Sequence, residues 1–161
     1  MKKIAVLIDF TSICSKALEF AGQIALKSNA SLVLIHVSDF DESLSLEDAK
    51  SKLSEYHASI PAGITVIDHV VQGSFFSIIP TVVSDVDADF VVAPTHGKVG
   101  IMQNLFGANI LKLVKTLPVP ALVVQEDSIY SENTFKTLLF PVGPHRHFEV
   151  KYKQAAVLAK Q

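Results

Sequence analysis

Short runs of Val, Ile and Leu alternate along the chain with segments whose apolar residues recur at helical spacing, and this alternation leaves few folds open. Ile4-Ala5-Val6-Leu7-Ile8 reads as a strand apolar on both faces, stopped by Asp9. Thr11-Ser12 offers an N-cap to a helix in which Ala17, Leu18, Ala21, Ile24 and Ala25 share one face as far as Ser28-Asn29. Leu32 to Val37 is a second strand, and Ser45 to Ser59 a more polar helix closed by Pro61 and Gly63. Ile64 to Val71 is a third strand, with Gln72-Gly73-Ser74 as the turn behind it and Ser74 as an N-cap. The helix over roughly 75–86 carries Pro80, which removes a hydrogen bond and demands either a kink or a start nearer Pro80. Phe90 to Ala93, Gly107 to Thr116 and Ala121 to Val124 follow as strand, helix and strand. Strands this uniformly apolar belong to a parallel sheet covered on both faces, and right-handed crossovers make it an open, doubly wound one. Such sheets take ligands outside the carboxyl ends of their strands, where the strand order reverses. Asp9, Val37 and the loop 94–110 all fall at that edge.

Composition excludes several classes. With 161 residues, 49% of them hydrophobic and 19% charged, the chain suits one full domain with a real core and not a disordered segment. Fourteen Lys and Arg against sixteen Asp and Glu show no basic excess, so nucleic acid is not an expected partner. The apolar stretch from Ile4 to Ile8 is too short for a secretion signal, and no run approaches a membrane span. A lone cysteine, Cys14, suits a reducing compartment, and the cytoplasm is the expected location.

After the fifth strand the pattern resets. Residues 128–135 are polar and linker-like. Lys136-Thr137-Leu138-Leu139-Phe140-Pro141-Val142 resembles the start of the chain from Lys3 to Asp9, and Val157-Leu158-Ala159-Lys160 resembles Ile24-Ala25-Leu26-Lys27. Both pairs share an offset of 133 residues, the mark of an internal repeat that goes no further than its first strand and helix.

The segments IAVLIDFTS, LVLIHV and ADFVVAPTHG, followed by LFGANILKLVKTLPVPALVV, resemble the universal stress protein family over residues 1–127, with 136–161 as an incomplete second copy. The resemblance implies an open five-stranded parallel sheet flanked by helices, adenine nucleotide α-hydrolase-like and Rossmann-like. In the nucleotide-binding branch the phosphate loop reads Gly-x2-Gly-x9-Gly-Ser/Thr. Gly97 and Gly107 match its second and third glycines, whereas Pro94 stands for the first and Ala108 for the hydroxyl. Pro94 has no N–H to donate and Ala108 no hydroxyl, so the phosphate half is damaged. The N–H groups that open the fourth helix, around Gly107, Ala108 and Asn109, still make an anion-favouring end. By the same resemblance Asp9 faces the adenosine, the backbone of Val37 borders the base, and Thr11 and Ala93 complete the site.

Other residues carry blander readings. Asp9 also reads as a strand terminator that caps the first helix. Cys14 near a helix start could be an activated thiol or inert packing. His96 could bind an oxyanion or a neighbouring carbonyl, and His145-Arg146-His147 lacks the partners of a metal set. No general acid–base pair and no Walker loop are present. The expected function is that of a non-enzymatic stress-response protein with a degenerate site for ATP or AMP, held weakly and with no metal beyond the Mg accompanying a nucleotide. The alternative is a nucleotide-free dimeric interaction module, and slow ATP hydrolysis ranks third. Self-association through the edge of the fifth strand is expected in either case.

Overall fold

A computed structural model describes residues 1–40, 44–95, 108–139 and 148–159. The chain divides into two units, Met1–Ser128 and Ile129–Gln161. The first holds five parallel strands, β1 (Lys3–Leu7), β2 (Ser31–Ser38), β3 (Val66–Gln72), β4 (Phe90–Thr95) and β5 (Ala121–Gln125), in the spatial order β3-β2-β1-β4-β5. The order runs outward from β1 in one direction through β3 and then restarts at β4. The reversal therefore lies between β1 and β4.

Strand parity builds two cores. Ala5, Leu7, Val33, Ile35, Val91 and Ala93 project to one face and are buried beneath α3 (Phe75–Asp85) and α4 (Ala108–Thr116) through Ile79, Val82, Val83, Ile110 and Leu113. The alternate residues Ile4, Val6, Leu32, Leu34 and Val92 are equally inaccessible on the other face. There α1 (Ile13–Ser28) packs on β1 and β4, and α2 (Leu46–Glu55) on β2 and β3. Asn29 ends α1 in the left-handed conformation that asparagine tolerates. Gly22, in mid-helix, is required by a close approach: a Cβ there would stand 2.8 Å from Pro61 Cδ.

Several boundaries differ from the sequence expectation. The polar helix stops at Glu55 and continues as a 3-10 turn over Tyr56–Ser59. The third strand starts at Val66 rather than Ile64. Pro80 does not begin its helix. α3 starts at Phe75, where the Ser74 carbonyl accepts from both Ser77 and Ile78 at 3.0 Å, and Pro80 sits inside it. Ser12 and Ser74 occupy N-cap positions, but neither side chain makes a cap bond.

β4 runs two residues beyond the expected Ala93, through Pro94 and Thr95, which pair with Val124 and Gln125. Alternation along the backbone explains how proline is accommodated. Val91 donates its N–H to Pro120 on the β5 side, so the nitrogen of Pro94 faces β1, beyond the last registered pair Val6–Val92, where no ladder bond is lost.

In the second unit, α5 covers Phe148–Leu158. The expected strand from Lys136 does not form over Lys136–Leu139: Lys136 closes a turn onto the Asn133 carbonyl, and Leu139 is 95% exposed. A strand with no neighbour to take its N–H and C=O groups has nothing to hold it extended. The remainder of that expected strand, 140–142, lies outside the described residues, as do His145, Arg146 and His147.

Candidate functional site

The site is built at the carboxyl ends of β1, β2 and β4. Carrying the registers Leu7–Ile35 and Val6–Val92 forward sets Asp9 level with Val37 on one side and with Thr95 on the other. These residues flank the strand-order reversal, the place where open α/β sheets hold ligands. Ile8 donates its N–H to the Ile35 carbonyl at 2.9 Å, so by alternation the backbone groups of Val37 also aim at the β1 side, above the end of that ladder.

Asp9 is fixed by the turn that leads into α1. Its Oδ1 accepts from the Thr11 N–H at 3.1 Å, from the Thr11 hydroxyl, and from the Cys14 thiol at 3.1 Å. The Thr11 carbonyl accepts from the Cys14 N–H at 3.1 Å and starts the helix. Thr11 is thus a positioning group for Asp9, and the turn serves the carboxylate as much as the helix.

Cys14 lies fully buried beneath it. Burial first, and the Asp9 charge second, push its thiol up to about 12, so the activated-thiol alternative does not hold. Burial, with Cys14 and Asp9 nearby, likewise raises the Tyr56 phenol to about 12. The chemistry of this cluster is that of an oriented carboxylate acceptor among neutral donors, with no thiolate nucleophile.

The other expected site residues divide. Ala93 stands in the core under α3 and α4 with its side chain inaccessible, which leaves only its backbone to border a ligand. Ala108 opens α4 and Asn109 is exposed in its first turn. Gly97 and Gly107 lie outside the described residues, as does His96. Two participants escaped the sequence reading. Thr95 brings a buried hydroxyl to the end of β4, two residues beyond the Ala93 at which the sequence pattern ends the strand. His36 is buried on β2 with Nδ1 2.9 Å from the Ile8 carbonyl and its ring 4.1 Å from that of Phe10. Among the described residues no group of three or more His, Cys, Asp or Glu could hold a metal ion. No described helix is long and apolar enough to cross a membrane.

The oriented carboxylate at the reversal of a β3-β2-β1-β4-β5 sheet coincides with a match of residues 1–125 to the model of the universal stress protein family. The chain belongs to that family. Among solved structures, a universal stress protein from Archaeoglobus fulgidus superposes with a TM-score of 0.61 at 23% identity, covering 79% of this chain and 45% of that one, so this chain spans less than half its length. A second from Archaeoglobus fulgidus, in complex with dAMP, gives 0.60 at 18% identity, covering 76% and 97%. A universal stress protein in complex with cAMP gives 0.54 at 20% identity, covering 76% and 96%. Likenesses at this identity establish the shared fold. Comparison with curated proteins yields no match.

Proposed function

We propose that this universal stress protein binds an adenine mononucleotide at the β1–β4 reversal, grips its base and ribose more firmly than its phosphates, and acts without catalysing a reaction. The observation that carries the reading is the Asp9 carboxylate, held by Thr11 and Cys14 level with Val37 and Thr95. Such a group suits a ribose hydroxyl or an adenine amino donor. Family members of the same fold in complex with dAMP and with cAMP support the choice of ligand. Pro94 and Ala108 deprive a phosphate of an N–H and a hydroxyl, which argues against a strong preference for ATP. Any Mg would arrive with the nucleotide, and cytoplasmic residence fits the single buried thiol.

Calorimetric titration with adenosine, AMP and ATP tests the reading. Comparable affinities for the three are expected. Asp9→Ala should weaken all of them by about tenfold or more, as loss of a charge-assisted hydrogen bond worth about 1.5–3 kcal/mol requires. Tight ATP binding by the unaltered chain, or indifference to Asp9→Ala, refutes it. The second reading, a nucleotide-free dimeric module, is favoured by β5, a sheet-edge strand with Ala121, Leu122 and Val123 only partly covered. A chain that binds none of the three ligands yet sediments as a dimer would establish that reading instead.

A further inference from the structure

A depression lies on the α1–α2 side of the sheet, behind the Asp9 turn. It has a volume of about 420 Å3 and is lined by Phe10, Ser15, Lys52, Glu55, Tyr56 and Ser59. Strand parity sets its floor on the face opposite Val37, while Tyr56 on its wall also approaches Asp9. His36, against which Phe10 packs, projects to this face, whereas Val37 projects to the α3–α4 face.

Phe10 is held in an unfavourable backbone conformation to form the floor. Its φ of 60° lies in the left-handed region, where a bulky side chain is a genuine outlier. Asn29 and Asp87 share that region, but they are short polar residues that tolerate it. The conformation brings the Phe10 ring to 4.1 Å from that of His36, with the Tyr56 ring inclined to it by 22° at a centroid distance of 6.4 Å. Strain of this kind persists where surrounding structure imposes it, and it gathers at ligand-binding positions.

The rim is charged but balanced. Lys52 and Glu55 stand three positions apart on α2, on one side of the helix. Both are exposed and no ion pair joins them, while Lys52 Nζ stands 5.6 Å from the centre of the Phe10 ring. One cation offset by one carboxylate is a poor match for a phosphate chain. It is a good match for a ligand that carries both charged groups on one carbon and an aromatic body to lay on the floor. The volume belongs to the small end of ligand sites, sufficient for such a molecule.

We propose that this depression binds an aromatic α-amino acid, its ring on Phe10 and Tyr56, its carboxylate toward Lys52 and its ammonium toward Glu55. Ser15 lines the remaining wall with a hydroxyl that can meet either group, and Ser59, whose hydroxyl donates to the Tyr56 carbonyl at 2.8 Å, can accept from the ammonium. This site's lining shares no residue with Asp9, Val37 and Thr95, and its test does not depend on nucleotide binding.

Amide-detected NMR titration of the full chain with L-phenylalanine, to about 10 mM, is the experiment. Saturable shifts at Phe10, Ser15, Tyr56 and Ser59 are expected. Lys52→Gln and Glu55→Gln, both exposed substitutions that leave the core intact, should each weaken binding about two- to fivefold. The single-charge analogues 3-phenylpropionate and phenethylamine should weaken by similar factors. Saturating AMP should not displace the amino acid. Absence of saturable shifts, shifts centred elsewhere, or displacement by AMP would overturn the site. Equal binding of 3-phenylpropionate, or no effect of either rim substitution, would overturn the ligand class.

Discussion

The thiol of Cys14 offers the sharpest check on the carboxylate cluster. To ionise, it must place a negative charge in a fully buried position and 3.1 Å from the Asp9 carboxylate. A thiol raised from 9.0 to about 12 resists ionisation by about 4 kcal/mol. The N-terminus of α1 favours the anion by no more than about 2 kcal/mol and is outweighed. At pH 8 the thiolate fraction falls from about one tenth to about one ten-thousandth, so a disulfide reagent should react about a thousandfold more slowly with folded than with urea-unfolded chain. The folded-state rate should still be climbing with pH at pH 10. Asp9→Asn removes the charge but keeps an oxygen acceptor, and should speed the reaction at pH 8. A folded-state rate that levels off below pH 9, or no acceleration in Asp9→Asn, would show that the thiol and carboxylate are not coupled as the geometry requires. The same shift sets the alkaline limit. Cys14 and Tyr56 both titrate higher in the folded chain, so their contribution is whole below pH 9 and declines as pH rises toward 12.

The opposite sign applies to Asp89, whose carboxylate accepts from the Lys2 N–H at 2.5 Å and the Lys3 N–H at 3.0 Å, bonds that lower its pKa. Its stabilisation is present above the ordinary value of 3.8 and is lost as pH falls through the folded value, so Asp89→Asn should flatten the acid limb of melting temperature against pH. Gly22→Ala would gain about 1 kcal/mol of helix propensity but drive a Cβ into Pro61; urea unfolding should show net destabilisation, relieved in Gly22→Ala/Pro61→Ala. Analytical ultracentrifugation at micromolar concentration should detect dimers formed through β5, and a charged residue at Leu122 should disperse them. Pro94→Gly with Ala108→Ser should create a preference of about tenfold or more for ATP over AMP in calorimetry.

The sheet was legible because its central strands β1, β2 and β4 are buried on both faces. Runs such as Ile4-Ala5-Val6-Leu7-Ile8 leave no polar residue that a helix or an exposed strand would display, and their alternation with amphipathic segments dictates parallel crossovers. Ends were less legible, because they depend on hydrogen bonds and not on hydropathy. Pro94 reads as the stop of a strand, yet its nitrogen faces the side where the β1 ladder has already ended, so the strand continues to Thr95. Lys136-Thr137-Leu138-Leu139 shows the converse error: it has the composition of a strand but pairs with no strand among the described residues, and is irregular.

The site divides along the same line. Asp9 and Val37 could be placed from sequence because each marks the end of an apolar run, and the register of two parallel strands then brings them level. The bonds that give Asp9 its character could not, although the family resemblance names Thr11 among the site residues. Thr11 and Cys14 are two and five residues on, but their donors converge on one oxygen only when the turn leaves Phe10 with a positive φ, a conformation that nothing in the identity of phenylalanine announces. Tyr56 reads as one apolar position of a polar helix. Only the packing of the 3-10 turn Tyr56–Ser59 against α1 brings its phenol near Cys14 and Asp9 and its ring to 6.4 Å from that of Phe10. One strained residue thus joins two features: the carboxylate before it is held by Thr11 and Cys14, and its own ring packs near His36 and Tyr56. A substitution that relaxes this residue, such as Phe10→Gly, would loosen the aromatic floor and the Asp9 turn together. Asp9→Ala removes the carboxylate, and Lys52→Gln alters only the rim.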